Sequence, residues 1–138
     1  MYHTSQADKV KIFENVPILH LINTPIIHHS VIELVTSDST LIDGAVLIDK
    51  MNDFCSLLQL NVVETTHFQF SPQDISVVFV LEESHLAIHS WPEKSFLHID
   101  LVTCTKYPTC LDTCHKVLSK LFKTNDIRVL GLDYNSRN

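Results

Sequence analysis

The stretch Ile75-Ser76-Val77-Val78-Phe79-Val80-Leu81-Glu82-Glu83-Ser84-His85-Leu86-Ala87-Ile88-His89-Ser90-Trp91, continued by Pro92-Glu93-Lys94-Ser95 and Phe96-Leu97-His98-Ile99-Asp100-Leu101-Val102-Thr103, decides the fold. Ile75 to Leu81 is a short, nearly continuous apolar run, the pattern of a buried central strand. His85 to Trp91 is a second strand, stopped by Pro92. Phe96 to Thr103 is a third, and the four residues Pro92 to Ser95 make a hairpin loop between the last two.

Working outward, Asn61 to Phe70 alternates loosely as another strand, and Ser71-Pro72-Gln73-Asp74 is a turn. Ser30 to Val35 is a β-branched strand, with Asp38, Ser39 and Thr40 supplying turn and cap chemistry after it. Between Ile42 and Leu60 the residues Val46, Leu47, Met51, Phe54, Leu57 and Leu58 recur at helical spacing and predict a helix over about residues 44 to 58. Past Pro108, Val117, Leu118, Leu121 and Phe122 form the stripe of a second helix, with Lys116, Lys120 and Lys123 opposite. Asp126 to Tyr134 reads as a last strand. The order β-α-β-β-β-β-α-β predicts an α+β domain, a two-layer sandwich with two helices on one face of a mostly antiparallel sheet. Residues 28–138 are expected to form this domain. Residues 1–27, with prolines at 17 and 25, are an N-terminal extension of unassigned role.

Composition narrows the function. The chain has 138 residues, 45% of them hydrophobic, which fits one domain with a modest core. Ten Lys and Arg against 16 Asp and Glu leave a net charge of -6, with no basic patch, so nucleic acid is not an expected partner. No apolar run reaches the roughly 18 residues of a membrane helix. The segment Val16 to Ile27 lacks the basic start and cleavage site of a signal peptide, so a cytoplasmic location is expected. Cys55, Cys104, Cys110 and Cys114 are then expected as free thiols. The spacing Cys110-Leu-Asp-Thr-Cys114-His115 matches no zinc signature, so no metal is expected.

The polar positions of the opening stretch carry the chemistry. Ser, His and Cys in proximity can be a nucleophile and its base, or the solvated faces of two strands. Ser84 and His89 are five residues apart and point to opposite faces of an ideal strand. Bringing them together requires a bend or bulge near Ser84. A four-residue loop would set Ser84 roughly across from Cys104 on the neighbouring strand.

The segment Glu83 to Glu93 resembles the self-processing motif of prokaryotic S-adenosylmethionine decarboxylases. Asp100 to Cys104 is similar to that family's cysteine strand. Phe68 to Ser76 resembles the segment with a substrate-stacking aromatic and a processing serine. The likeness spans roughly His28 to Tyr134. It implies cleavage between Glu83 and Ser84, with Ser84 converted into a covalent pyruvoyl group. The Ser84 hydroxyl attacks the Glu83 carbonyl, amide becomes ester, and elimination with His89 as base leaves dehydroalanine, which hydrolyses to pyruvoyl and ammonia. Ser76 would hydrogen-bond the rearranging backbone. The pyruvoyl carbonyl would form a Schiff base with the substrate amine and take the role that pyridoxal phosphate plays elsewhere. Cys104 would return a proton to the substrate carbon. By the same resemblance Phe70 would stack on adenine, Glu93 would bind the ribose hydroxyls, and two protomers would pair and build each site at their interface.

The expected function is decarboxylation of S-adenosylmethionine for spermidine synthesis. The alternatives are pyruvoyl-dependent arginine or ornithine decarboxylation, or an unprocessed regulatory paralogue. The sequence departs from the family pattern at Ala87, usually a small hydroxyl residue, and at Asp74 and Thr105, usually Gly. It departs again at Ser95-Phe96-Leu97-His98, where a Gly-Tyr-Ala-Ala-like run is usual. With two glycines in the chain, few positions are freely left-handed.

Overall fold

A computed structural model of the chain describes residues 25–104 and 110–132. Six strands form one sheet: β1 (His28–Val35), β2 (Val62–Gln69), β3 (Ile75–Leu81), β4 (Ser84–Trp91), β5 (Phe96–Thr103) and β6 (Ile127–Leu132). Their order across the sheet is β2-β3-β4-β5-β1-β6, and every neighbouring pair is antiparallel. Among the described residues two helices, α1 (Gly44–Leu57) and α2 (Leu111–Phe122), pack with the sheet in the predicted α+β sandwich. Pro92–Lys94, expected as a plain loop, forms a short 3-10 turn that ends on Ser95 with φ +53°.

Strands β1, β3, β4 and β5 alternate, so one face of the sheet is dry. Ile32 and Leu34, Val77 and Phe79, Leu86 and Ile88, and Leu97, Ile99 and Leu101 all point to that face. There they meet Leu47, Met51, Phe54 and Cys55 of α1 and Cys114, Leu118 and Phe122 of α2 in one core. Helical rotation of about 100° per residue explains a correction. Val46 and Leu57, expected in the α1 stripe, fall to one side of the line Leu47-Met51-Phe54-Leu58 and are exposed.

Helix α1 opens on Gly44 at φ +42°, a backbone conformation that favours glycine. Helix α2 ends on Lys123 at φ +52° and is tied down at once. The buried Thr36 hydroxyl donates to the Phe122 carbonyl at 2.8 Å, and the Thr124 hydroxyl donates to the Val35 carbonyl at 2.6 Å. These bonds fix the end of α2 against the end of β1. Strand β2 is an exposed edge, irregular between Val62 and Glu64, which blunts it against further pairing. Residues 1–24, Asp133 and Tyr134, the last two expected in β6, lie outside the described residues. No described helix is long and apolar enough to cross a membrane.

Truncating the fully buried Phe54 removes the largest α1 contribution to this core. Phe54→Ala is expected to lower the unfolding free energy by about 3–5 kcal/mol, read as a lower urea midpoint. Val63→Ala, at a position 64% exposed, is expected to stay within about 0.5 kcal/mol of the parent.

Candidate active site

The alternation that dries one face fills the other with polar and aromatic groups. Across the open face runs Phe68 of β2, Ser76 of β3, His89 of β4, His98 of β5, Glu33 of β1 and Arg128 of β6, each paired with the next in register. Ser76 Oγ lies 2.6 Å from His89 Nδ1, and Arg128 pairs with Glu33 at 2.9 Å. The candidate pair Ser76 and His89 is therefore one hydrogen-bonded unit, produced by direct cross-strand register. Phe70 follows β2 and packs on Phe68 with ring centroids 4.8 Å apart. Both rings are more than 60% exposed, so Phe70 is not a core residue.

Ser84 and Cys104 sit at the opposite end of the strands. Glu82 and Glu83 form the turn between β3 and β4, with Leu81 paired to Ser84. Glu83 has φ +59°, a left-handed conformation that costs a side-chain-bearing residue roughly 1–2 kcal/mol. Ser84 Oγ donates to the Glu82 carbonyl at 3.2 Å. Because His85 pairs with Val102, Ser84 comes to Thr103 and Cys104. These three residues, with Gln59, Leu60, Asn61 and the turn, line a cleft of about 320 Å³.

No bulge interrupts β4. It pairs residue by residue with β3 from Ser84 to His89, and with β5 from His85 to Trp91. The bend expected to bring Ser84 and His89 together is absent, because Leu86, Ile88 and Ser90 are all needed on the buried face. At about 3.3 Å per residue, His89 stands some 16 Å along the strand from Ser84, on the other face. Glu93, in the turn after β4, lines a separate cleft of about 360 Å³ with Ser39, Thr40, Asp43, Gln73 and Pro92. The candidate residues thus divide into two groups. Glu83, Ser84 and Cys104 lie at one end of the sheet, and Phe70, Ser76, His89 and Glu93 lie toward the other.

A third cluster was not singled out from the sequence. On the open face near the Ser84 end, Asp100 Oδ1 lies 2.5 Å from His29 Nε2, and Asp100 Oδ2 lies 3.7 Å from His85 Nε2. The signal was present: residues 85, 87 and 89 share a face by parity, as do 98, 100 and 102. What sequence alone lacked was the β1–β5 pairing that brings in His29. Asp74, at a position where the related pattern has Gly, carries a buried Oδ1 with no hydrogen-bond partner. Thr105, the other such position, lies outside the described residues.

The four cysteines are free thiols. Burial pushes the Cys55 and Cys114 thiols up to about 11. Cys110 is exposed at the start of α2, and the backbone of Thr113, then its hydroxyl, then the backbone of Asp112 hold its thiol below the ordinary range. Among the described residues no three His, Cys, Asp or Glu side chains are grouped so as to hold a metal ion.

An open-faced α+β sandwich with a serine behind a strained hairpin turn and a cysteine beside it defines a narrow class of protein. The S-adenosylmethionine decarboxylase family profile matches residues 28–133, and the chain belongs to that family. It is 35% identical over 96 residues to the S-adenosylmethionine decarboxylase proenzyme of Acetivibrio thermocellus, covering 69% of this chain and 77% of that one. It is 32% identical over 98 residues to the proenzyme of the same name from a Thermoanaerobacter species, covering 70% and 79%. The crystal structure of the adenosylmethionine decarboxylase from Aquifex aeolicus has the same fold. The TM-score is 0.67 at 20% identity, over 78% of this chain and 89% of that one.

Thiolate is the reactive form of cysteine. Iodoacetamide at pH 8 is therefore expected to label Cys110 before Cys55 and Cys114, which should resist until the chain is denatured. Peptide mass mapping after timed quenching checks the order.

Proposed function

We propose that this chain is a self-cleaving proenzyme of a pyruvoyl-dependent S-adenosylmethionine decarboxylase, cut between Glu83 and Ser84 and active as a homodimer. The observation that carries the reading is the position of that bond. It lies at an exposed two-residue turn, with Glu83 left-handed, Ser84 opening β4 and Cys104 lining the same cleft. Family membership, on a match that begins at residue 28, supports residues 28–138 as the decarboxylase domain.

Ser84 is chemically suited to become the pyruvoyl group. Its hydroxyl already sits against the turn backbone. Attack of Oγ on the Glu83 carbonyl carbon breaks the amide and forms an ester, and the freed nitrogen takes up the hydroxyl proton. Removal of the Ser84 α-proton then expels the Glu83 carboxylate, and water releases ammonia from residue 84. The products are residues 1–83 and 84–138. The pyruvoyl group supplies the carbonyl that accepts the electrons left behind when the substrate loses carbon dioxide. Cys104 holds a proton on Sγ for return to the substrate carbon. Ser76 orients the His89 ring through Nδ1 and leaves Nε2 for proton transfer.

Within one chain His89 is about 16 Å from Ser84 along β4, too far for that transfer. A second copy resolves the gap. Two open faces packed about a two-fold axis, with their strands antiparallel, bring the Ser84 end of one protomer to the His89 end of its partner. Phe68, Phe70, Val80 and Leu130 expose apolar surface for that contact. The same pairing would bring Phe70 and Glu93 of the partner subunit toward the Ser84 end, where the rings stack on adenine and the carboxylate accepts from the ribose hydroxyls.

Intact mass under denaturing conditions tests the cleavage. The parent is expected as two chains, the second beginning with pyruvoyl at position 84, and Ser84→Ala as one. An uncut parent would sink the reading in favour of a regulatory paralogue. Carbon dioxide release is expected from S-adenosylmethionine and not from arginine or ornithine; the reverse would assign the chemistry to the smaller amino acids. Cys104→Ala is expected to be cut normally yet to release carbon dioxide at least about a hundredfold more slowly. Light scattering is expected to give the mass of two protomers.

A further inference from the structure

We propose that Asp100 is a positioning residue for self-cleavage: by bridging His29 and His85 it holds the start of β4, and with it residue 84, in the geometry that cleavage requires. The inference rests on the proposed cleavage at Ser84 and concerns residues to which that reading gives no part.

The carboxylate stands at the meeting of three strands. Asp100 is opposite Ala87 on β4 and opposite Val31 on β1, which makes His85 and His29 its diagonal neighbours on the two sides. Such diagonals are within reach of long side chains on a shared face. Oδ1 takes His29 at 2.5 Å and Oδ2 faces His85 at 3.7 Å. The first contact fixes the carboxylate. The second is longer than a hydrogen bond, and becomes an ion pair when the His85 imidazole is protonated. Asp100 at 31% and His29 at 24% are part-buried, so their contact is less screened than one at the open surface, while His85 at 47% is exposed.

What the clamp holds is the first residue beyond the cut. Before cleavage, residue 84 is tethered by its peptide to Glu83 and by its pairing with Leu81. When the amide becomes an ester, that covalent tether passes to the Ser84 side chain, and once the ester is gone position 84 is a chain end. His85 is the residue that still ties it to β5, through its pairing with Val102 and through Asp100. A loosened position 84 has a second fate available. Water can attack the ester at the Glu83 carbonyl, leaving a Glu83 carboxylate and an intact Ser84 with its hydroxyl and a free amine. Elimination, which needs the Ser84 α-proton aligned with its base, is the outcome that positioning favours.

The test follows freshly made full-length protein by intact mass. It compares the parent, Asp100→Asn, Asp100→Glu, His85→Asn and the double variant Asp100→Asn/His85→Asn. The control is Glu33→Gln, which removes a cross-strand ion pair on the same face with no link to Ser84. Asp100→Asn and His85→Asn are each expected to slow cutting roughly tenfold and to raise the share of second chains that begin with serine. The double variant is expected to be no slower than either single one, because both changes break one linkage. Asp100→Glu is expected to recover most of the rate, and Glu33→Gln to match the parent. Parent-like rates and serine shares in both single variants would overturn the proposal, as would fully additive slowing in the double. If Asp100→Asn does not fold, His85→Asn, at a half-exposed position, decides alone. A parent that is never cut would instead overturn the cleavage reading, and this proposal with it.

Discussion

The structure depends on the parity of β4. Leu86, Ile88 and Ser90 are buried beneath the helices, and a strand has a period of two. Nothing further is needed to place His85, Ala87, His89 and Trp91 on the opposite face. A slip of one residue would drive two histidines and an indole into the core and expose Leu86 and Ile88, at about 1.5–3 kcal/mol for each large apolar side chain. The register is therefore stiff. Through the β3–β4 and β4–β5 ladders it also fixes Ser76 beside His89 and Asp100 beside His85. The chemistry is arranged by apolar residues that never touch it.

The same constraint explains why the site is divided. A bulge near Ser84 would turn His89 toward it, but would lift Leu86 or Ile88 out of contact with the helices. The regular strand keeps the core and leaves a serine–cysteine end and a serine–histidine end about 16 Å apart. Among the described residues the helices pack on one face of the sheet and leave the other open. A two-fold pairing of open faces would answer both the exposed aromatics and the distance.

Much of this was legible in the sequence. The continuous run Ile75 to Leu81 and the stop at Pro92 located the central strands, and β3 and β5 have the predicted ends. Helix α1 was legible within a residue of its end because Leu47, Met51, Phe54 and Leu58 hold helical spacing. Val46 and Leu57 misled because hydrophobicity alone does not say on which side of a stripe a residue falls. Strand pairing was the missing quantity elsewhere. The contact of Ser76 with His89 needs the β3–β4 register, and the His29–Asp100–His85 cluster needs β1 to lie beside β5, 71 residues away in sequence between His29 and Asp100. No local pattern encodes either.

Glycine scarcity shows where this chain accepts strain. Gln59, Glu83, Ser95 and Lys123 all adopt left-handed backbones without being glycine. Ser95 and Lys123 follow helical turns and Gln59 follows α1, where such conformations commonly close a helix. Glu83 is different, since it sits in a hairpin turn on the carbonyl side of the proposed scissile bond. There a left-handed residue of roughly 1–2 kcal/mol is strain that opening the peptide can release, whereas at a helix end the same cost is offset by the cap bonds it permits. On the two proposals, strain at Glu83 would raise the starting state, and His85, one residue past Ser84 and facing Asp100, would restrict where the freed end can go. On the proposed reading, cleavage at this turn would draw on a strained donor carbonyl, a neighbouring hydroxyl and a second copy of the same sheet.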